Sequence, residues 1–371
     1  MKKILSFFGK VFGQTLFAMV SFFVILFLFS LLFIGIGAGV GAGYQSSFSS
    51  LKTADSSDYS HVSGDEDSDN NLLQVNVNGI ILGSAPEEEF SFGLSEFLTY
   101  GYELADTLAE AAEDEDIKGV LMRFRTPGGT IFGSQAIYRA IRDYKEKTGN
   151  PVVVYIEGMS ASGGVMAMVG ADAIYADHGS LIGSIGVLGP SLTYFNQPMA
   201  TDGGLFGGGI VTEGGIERTI ITAGRGKDIG NPFRKPTEEE ITTLTDGINT
   251  EYANFIEHIA SNRDMKASLI RDEMGAQIFG NEKSETFGLI DGTLDRGAAI
   301  EALAKLAQLG DDYQLIKPNI KSESLFNQMM GVLAGRSSIR LSPEVFARQQ
   351  VCNVSRQLTM AYHGNLASYC Q

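Results

Sequence analysis

The longest apolar stretch of the chain runs from Leu16 to Val40, and residues 11 to 51 carry no charged side chain. About 20 apolar residues cross the hydrocarbon core of a bilayer, so this stretch predicts a transmembrane helix. Lys2, Lys3 and Lys10 precede it and acidic residues dominate after it, which keeps the N-terminus cytoplasmic. The competing reading is a signal peptide cleaved after Ala42. Cleavable peptides carry an apolar core of about 7–15 residues. The core here is longer, and residues 1–44 are expected to stay as an anchor. Residues 45–71 are rich in Ser and Asp, with Gly64 and Glu66 among them. Such a segment buries too little apolar surface to offset the entropy of ordering it, so it reads as an acidic flexible linker.

Beyond the linker the pattern changes to short apolar runs separated by helical periodicity. Leu73 to Ile81, Val120 to Phe124, Val152 to Ile156 and Ala173 to Ala176 read as strands. Leu94 to Glu113 and Ser134 to Tyr144 carry apolar residues at helical spacing. A long helix is expected from Thr237 to about His258, opened by a capping box of Thr237 with Glu240, and shorter helices near 266–275 and 296–309. Alternating strands and helices indicate an α/β domain over residues 72–310. No internal repeat is visible. Residues 189–215 form a Gly-rich insertion, and residues 311–371 a C-terminal tail.

Composition narrows the function. The 371 residues carry a net charge of −16, which argues against nucleic-acid binding. Only Cys352 and Cys370 are present, so no Cys-based zinc site or disulfide framework holds the fold. Their compartment would be oxidising, so they either pair across the tail or remain two free thiols.

The candidate chemistry lies in turns that follow strands. Ser162 stands in a Gly/Ser turn between the strand at Val152–Ile156 and a small apolar helical stretch. That is a way to hold up a nucleophile, although such turns are most often plain loops. It does not fit the Gly-x-Ser-x-Gly elbow, because Ser162 occupies the place of the second Gly. A serine hydroxyl needs a base. Of the four histidines only His178 is placed for a Ser-His-Asp triad, and a lone loop His is more often surface decoration. Lys227, in a Gly-rich stretch, is the rival base; by itself such a lysine is most often an exposed loop residue. A lysine base requires its ammonium to be destabilised by burial or by nearby cations such as Arg225.

Taken in order, Arg125-Thr126-Pro127-Gly128-Gly129, Ala161-Ser162-Gly163-Gly164, Gly183-Ser184-Ile185-Gly186-Val187 and Gly226-Lys227-Asp228 with Pro232-Phe233-Arg234 resemble the signal peptide peptidase A family of bacterial membrane-anchored serine peptidases. Ala276 to Gly280 leading to Gly288 to Asp291 extends the resemblance, which covers about residues 72–310. It implies a Clp-protease/crotonase-like spiral of βαβ units, behind an N-terminal transmembrane helix. It further implies Ser162 as nucleophile, Lys227 as general base and Ser184 as the group that orients the lysine. Backbone N–H groups of Gly128, Gly129 and Gly163 would bind the oxyanion. Arg125-Thr126 departs from the family's Asn-Ser, and Val165-Met166 from its frequent aromatics. The implied protein cleaves apolar peptides, such as remnant signal peptides, outside the bacterial inner membrane. It needs no metal or organic cofactor, and it assembles into a homo-oligomer in which a neighbouring subunit supplies the lysine. A crotonase-like acyl-CoA enzyme and a non-catalytic membrane scaffold are the rival readings.

Overall fold

In the computed structural model, residues 59–85, 97–194 and 220–319 are described, together with the backbone of 359–361. The strands are β1 (Tyr59–Gly64), β2 (Asn71–Leu82), β3 (Leu98–Tyr100), β4 (Ile117–Thr130), β5 (Val152–Ala161), β6 (Ala173–Ala176), β7 (Leu181–Gly183), β8 (Ile278–Phe279), β9 (Gly292–Thr293), β10 (Gln314–Pro318) and β11 (Thr359–Ala361). The α-helices are α1 (Gly101–Ala111), α2 (Ile131–Thr148), α3 (Gly163–Met168), α4 (Glu238–Arg263), α5 (Asn281–Phe287) and α6 (Arg296–Leu306), with a π-helical turn at Leu269–Met274. The main sheet runs β1-β10-β2-β4-β5-β6-β9. From β10 to β9 all its pairings are parallel, and only β1 is antiparallel.

The two-residue period of these strands divides the core into two layers. Leu73, Val75, Val120, Met122, Phe124, Val152, Val154 and Ile156 face the layer that also contains residues of α1, α2, α3 and α4. Leu72, Leu121, Val153 and Tyr155 point the other way, onto Ala299, Leu303 and Ala304 of α6. Residues 152–156 are all fully buried because both faces of β5 are covered, which is why that strand reads as an unbroken apolar run.

Several expectations change at their edges. The first predicted helix is preceded by β3 and begins at Gly101. The strand expected over 120–124 extends from Ile117 to Thr130 and passes through Pro127. Register shifts between Phe124 and Thr126 and between Asn78 and Ile80 accommodate this, since a proline cannot donate to a regular ladder. The expected helix near 266–275 is a π-helical turn. Residues 59–64, inside the span read as an acidic linker, form β1, which pairs with β10 from the span read as tail. Polar composition concealed β1, which lies at the sheet edge with no fully buried side chain, whereas β10 is an inner strand whose only buried residues are Leu315 and Ile316. The capping box of Thr237 and Glu240 is present. The apolar stretch 16–40, most of the Gly-rich insertion, and both cysteines lie outside the described residues. Among the described residues no helix is long and apolar enough to cross a membrane.

Candidate active site

Parallel pairing of β5 with β7 sets Ala161 opposite Gly183, so the next residues, Ser162 and Ser184, leave their strands side by side. The Ser162 N–H donates to the Gly183 carbonyl at 2.8 Å. Both serines are buried and both take left-handed backbone angles, φ 54° and 55°. Only four non-glycine residues do so among the described residues, and two of them are these neighbours. Such conformations cost about 1–3 kcal/mol each and persist only where surrounding structure enforces them.

The enforcing contacts are visible. Ser162 opens α3, and its carbonyl accepts the Met166 N–H at 3.1 Å. On the Ser184 side, the N–H donates to the Gln277 carbonyl at 2.6 Å, and β8 pairs antiparallel with β7. Gly183 has φ 134°, and a Cβ there would stand 2.4 Å from the same Gln277 carbonyl. This explains why residues 276–280 accompany the Ser184 turn: they form its backing.

Gly128 and Gly129 lie at the end of β4, where Thr126 is in register with Ser160. Thr126 is fully buried and joins three parts of the site. Its hydroxyl donates to the Gly79 carbonyl at 2.6 Å and accepts the Gly128 N–H at 3.0 Å. Its methyl abuts Gly164, where a Cβ would come within 2.7 Å. The Gly128 N–H is therefore engaged in this conformation. The Gly163 N–H, first in α3, precedes the intrahelical ladder. Strand β11 pairs antiparallel with this same edge, Met360 opposite Gly129 and Ala361 opposite Gly128.

Beneath α3 lies a histidine from the far end of α4, whose role its sequence context does not reveal. His258 of α4 donates from Nε2 to the Met166 carbonyl at 2.9 Å and meets the Tyr138 ring edge-on at 4.4 Å. Burial holds its imidazole below the ordinary value, outweighing the opposite effect of that carbonyl. A neutral ring protonated at Nε2 fits the contact.

Among the described residues Lys227 makes no hydrogen bond to Ser162 or Ser184. It is exposed, in a succession of turns from Gly224 to Arg234 that leads into the N-terminus of α4. Among the described residues its ammonium makes no ion pair. The adjoining Asp228 is bound by Arg234, which also binds Glu240. Some 18 residues of α4 separate Glu240 from His258, roughly 27 Å at about 1.5 Å per residue. His178 is exposed between β6 and β7, and its backbone N–H donates to the Asp177 carboxylate.

The sequence matches known proteins across this region. Residues 144–310 match the model of peptidase family S49. A putative protease of Methanocaldococcus jannaschii is 34% identical over 204 residues, which is 55% of this chain and 60% of that protein. A putative signal peptide peptidase SppA of Enterococcus faecium is 27% identical, with 66% of each chain covered. Protease 4 of Haemophilus influenzae is 28% identical over 66% of this chain and 36% of its own. The chain thus spans about two thirds or less of the length of these relatives. Residues 144–310, which carry Ser162, Ser184 and Lys227, are the part of the chain that resembles peptidase family S49.

Proposed function

We propose that the chain is a membrane-anchored serine endopeptidase that hydrolyses apolar peptides, remnant signal peptides among them, with Ser162 as nucleophile and Lys227 of a neighbouring subunit as base. The observation that carries this reading is the Ser162 turn: a buried serine with a strained backbone, fixed by Gly183 and set beside a second serine strained in the same way. Strain of this kind clusters where a side chain must be presented in one orientation.

In the reaction, neutral Lys227 takes the Ser162 proton as Oγ attacks the scissile carbonyl. The carbonyl oxygen becomes an oxyanion, for which the N–H groups of Gly163 and Gly129 are the intended donors, each such donor contributing about 3 kcal/mol in comparable sites. The lysine then gives its proton to the leaving amine as the C–N bond breaks. Water repeats the sequence on the acyl-enzyme and releases the acid. Ser184, adjacent to Ser162, would accept or donate at the lysine nitrogen and turn its lone pair to the serine.

Two features support a lysine from another chain. Lys227 is exposed in the single subunit, whereas a lysine base needs its ammonium destabilised. About 27 Å of helix also separates the Lys227 turn's attachment at Glu240 from the contact that holds α3. The antiparallel β11 supports an extended substrate, because it shows the Gly128–Thr130 edge taking a backbone strand. Parallel strands β2, β4, β5, β6 and β9 follow one another across the sheet in chain order, as a one-directional spiral of the Clp/crotonase kind requires. The apolar stretch 16–40 supports anchoring in the bacterial inner membrane with the catalytic domain outside.

A fluorophosphonate reactive towards activated serines tests the reading. The full chain in detergent should be labelled at Ser162. Labelling should vanish in Ser162→Ala and nearly vanish in Lys227→Ala. Labelling elsewhere, or undiminished labelling of Ser162→Ala, would refute it.

A further inference from the structure

The turns that carry Lys227 contain almost no core. From Gly224 to Gly230 the side chains are exposed or half-exposed, and Gly224, Gly226 and Gly230 all take left-handed φ angles. The backbone is held only by short-range bonds: Lys227 N–H to Gly224, Ile229 N–H to Gly226 and Asn231 N–H to Asp228. Turns alone leave such a segment with many conformations. A base on it would not keep the near-attack geometry that catalysis requires.

Two side chains oppose this freedom: exposed Arg225, whose Nη1 lies 3.4 Å from the Glu239 carboxylate of α4 and contributes little, and Arg234. The Arg234 guanidinium donates from Nε and Nη2 to both oxygens of Asp228, at 2.9 and 2.6 Å. It donates from Nη1 and Nη2 to both oxygens of Glu240, at 2.9 and 2.6 Å, and from Nη1 to the Lys235 carbonyl at 3.1 Å. Asp228 also accepts from Asn231. Glu240 is buried, and its second role is to accept the Thr237 N–H in the capping box of α4. The guanidinium is thereby saturated between the residue next to Lys227 and the first turn of a 26-residue helix. That helix is fixed at its far end, where Arg263 pairs with Asp291 and His258 holds α3.

We infer that Arg234 is a positioning residue of the peptidase: by bridging Asp228 to Glu240 it couples the turn bearing Lys227 to the rigid end of α4 and so fixes where the amine is presented. The inference rests on the reading of Lys227 as the base. A planar fork that satisfies two carboxylates at once suits arginine and not lysine, whose ammonium is a point charge. Arg234 holds both carboxylates well below the ordinary range, at about 2. The bridge is therefore intact throughout the pH range in which a lysine base could act.

The test compares Arg234→Ala, Arg234→Lys and Asp228→Asn with Lys227→Ala in the full chain, by steady-state hydrolysis of an apolar peptidyl-aminomethylcoumarin. Arg234→Ala should lose about 10- to 100-fold in kcat, the scale of a misplaced catalytic group, with KM changed less than about twofold. Arg234→Lys and Asp228→Asn should fall between it and the parent. Millimolar guanidinium should restore part of the rate to Arg234→Ala and none to Lys227→Ala. Circular dichroism melts identify any variant that has unfolded; if Arg234→Ala does, Asp228→Asn carries the test by the same kcat and KM criterion. An inactive Lys227→Ala beside a fully active Arg234→Ala or Asp228→Asn would overturn the inference and leave the base assignment standing. An active Lys227→Ala would overturn the base assignment itself.

Discussion

Replacing Thr126 with valine keeps the shape of the side chain and removes only its hydroxyl. In the structure that hydroxyl serves two backbone groups, the Gly79 carbonyl at 2.6 Å and the Gly128 N–H at 3.0 Å, in a position with no solvent exposure. A buried polar group left without a partner costs about 1–3 kcal/mol, so two stranded groups should cost roughly 2–6 kcal/mol. For a domain of this size each kcal/mol lowers the melting temperature by about 2–4 °C, which places the expected fall between roughly 4 and 24 °C. Thr126→Ser removes instead the methyl that abuts Gly164 and should cost about 1 kcal/mol, as for one buried methyl group. The same methyl makes Gly164→Ala an overpacking change, costing about 1–3 kcal/mol. Combining Gly164→Ala with Thr126→Ser should recover part of that loss, since the nearest clash is gone. Melting curves of the four variants, with rates on the same coumarin substrate, decide the matter. Equal stability of Thr126→Val and the parent, or purely additive losses in the double mutant, would refute the account of Thr126 as the joint between the Gly128 turn and α3.

Two further predictions concern the residues around the serine. His258 has its folded-state pKa lowered by burial, so the unfolded chain binds its proton more readily. Its contribution is unperturbed above the unfolded value near 6.5 and becomes destabilising as pH falls below it; His258→Gln should therefore flatten the decline in melting temperature between about pH 7 and 5, and an unchanged slope would contradict the assignment. Ser184→Ala should lower kcat without altering the melting temperature by more than a few degrees, because its backbone bond to Gln277 is retained, and full activity would remove its role as the lysine's orienting partner.

The parts of this molecule that were legible in its sequence are those governed by periodicity and by local chemistry. The strand at 152–156 and the capping box at Thr237 follow from buried runs and from a four-residue signal, and both are present. The nearness of Ser162 to Ser184 was implied only by the family resemblance and not by periodicity, since it depends on the register of β5 against β7. Thr126 appeared in the sequence only as a departure from a family pattern, yet its hydroxyl and methyl each have a separate partner. His258 and Arg234 act through contacts to residues 92 and 6 positions away, and only the second distance is short enough to suggest itself from a helix start. Strand β1 was not legible because edge strands need not be apolar, and β10 because two buried residues, Leu315 and Ile316, are too short an apolar run to signal a strand.

The central claim is that Ser162 and Lys227 form one catalytic unit shared between subunits. Its most direct test is the peptidase rate of assemblies in which differently tagged Ser162→Ala and Lys227→Ala chains have been co-expressed and purified through both tags. Each variant alone should be nearly inactive, and the mixed assembly should recover activity, because a neighbour with an intact Lys227 can serve an intact Ser162. Inactive mixed assemblies would place both residues of each site in a single chain. Substantial activity of Lys227→Ala on its own would contradict the dyad altogether.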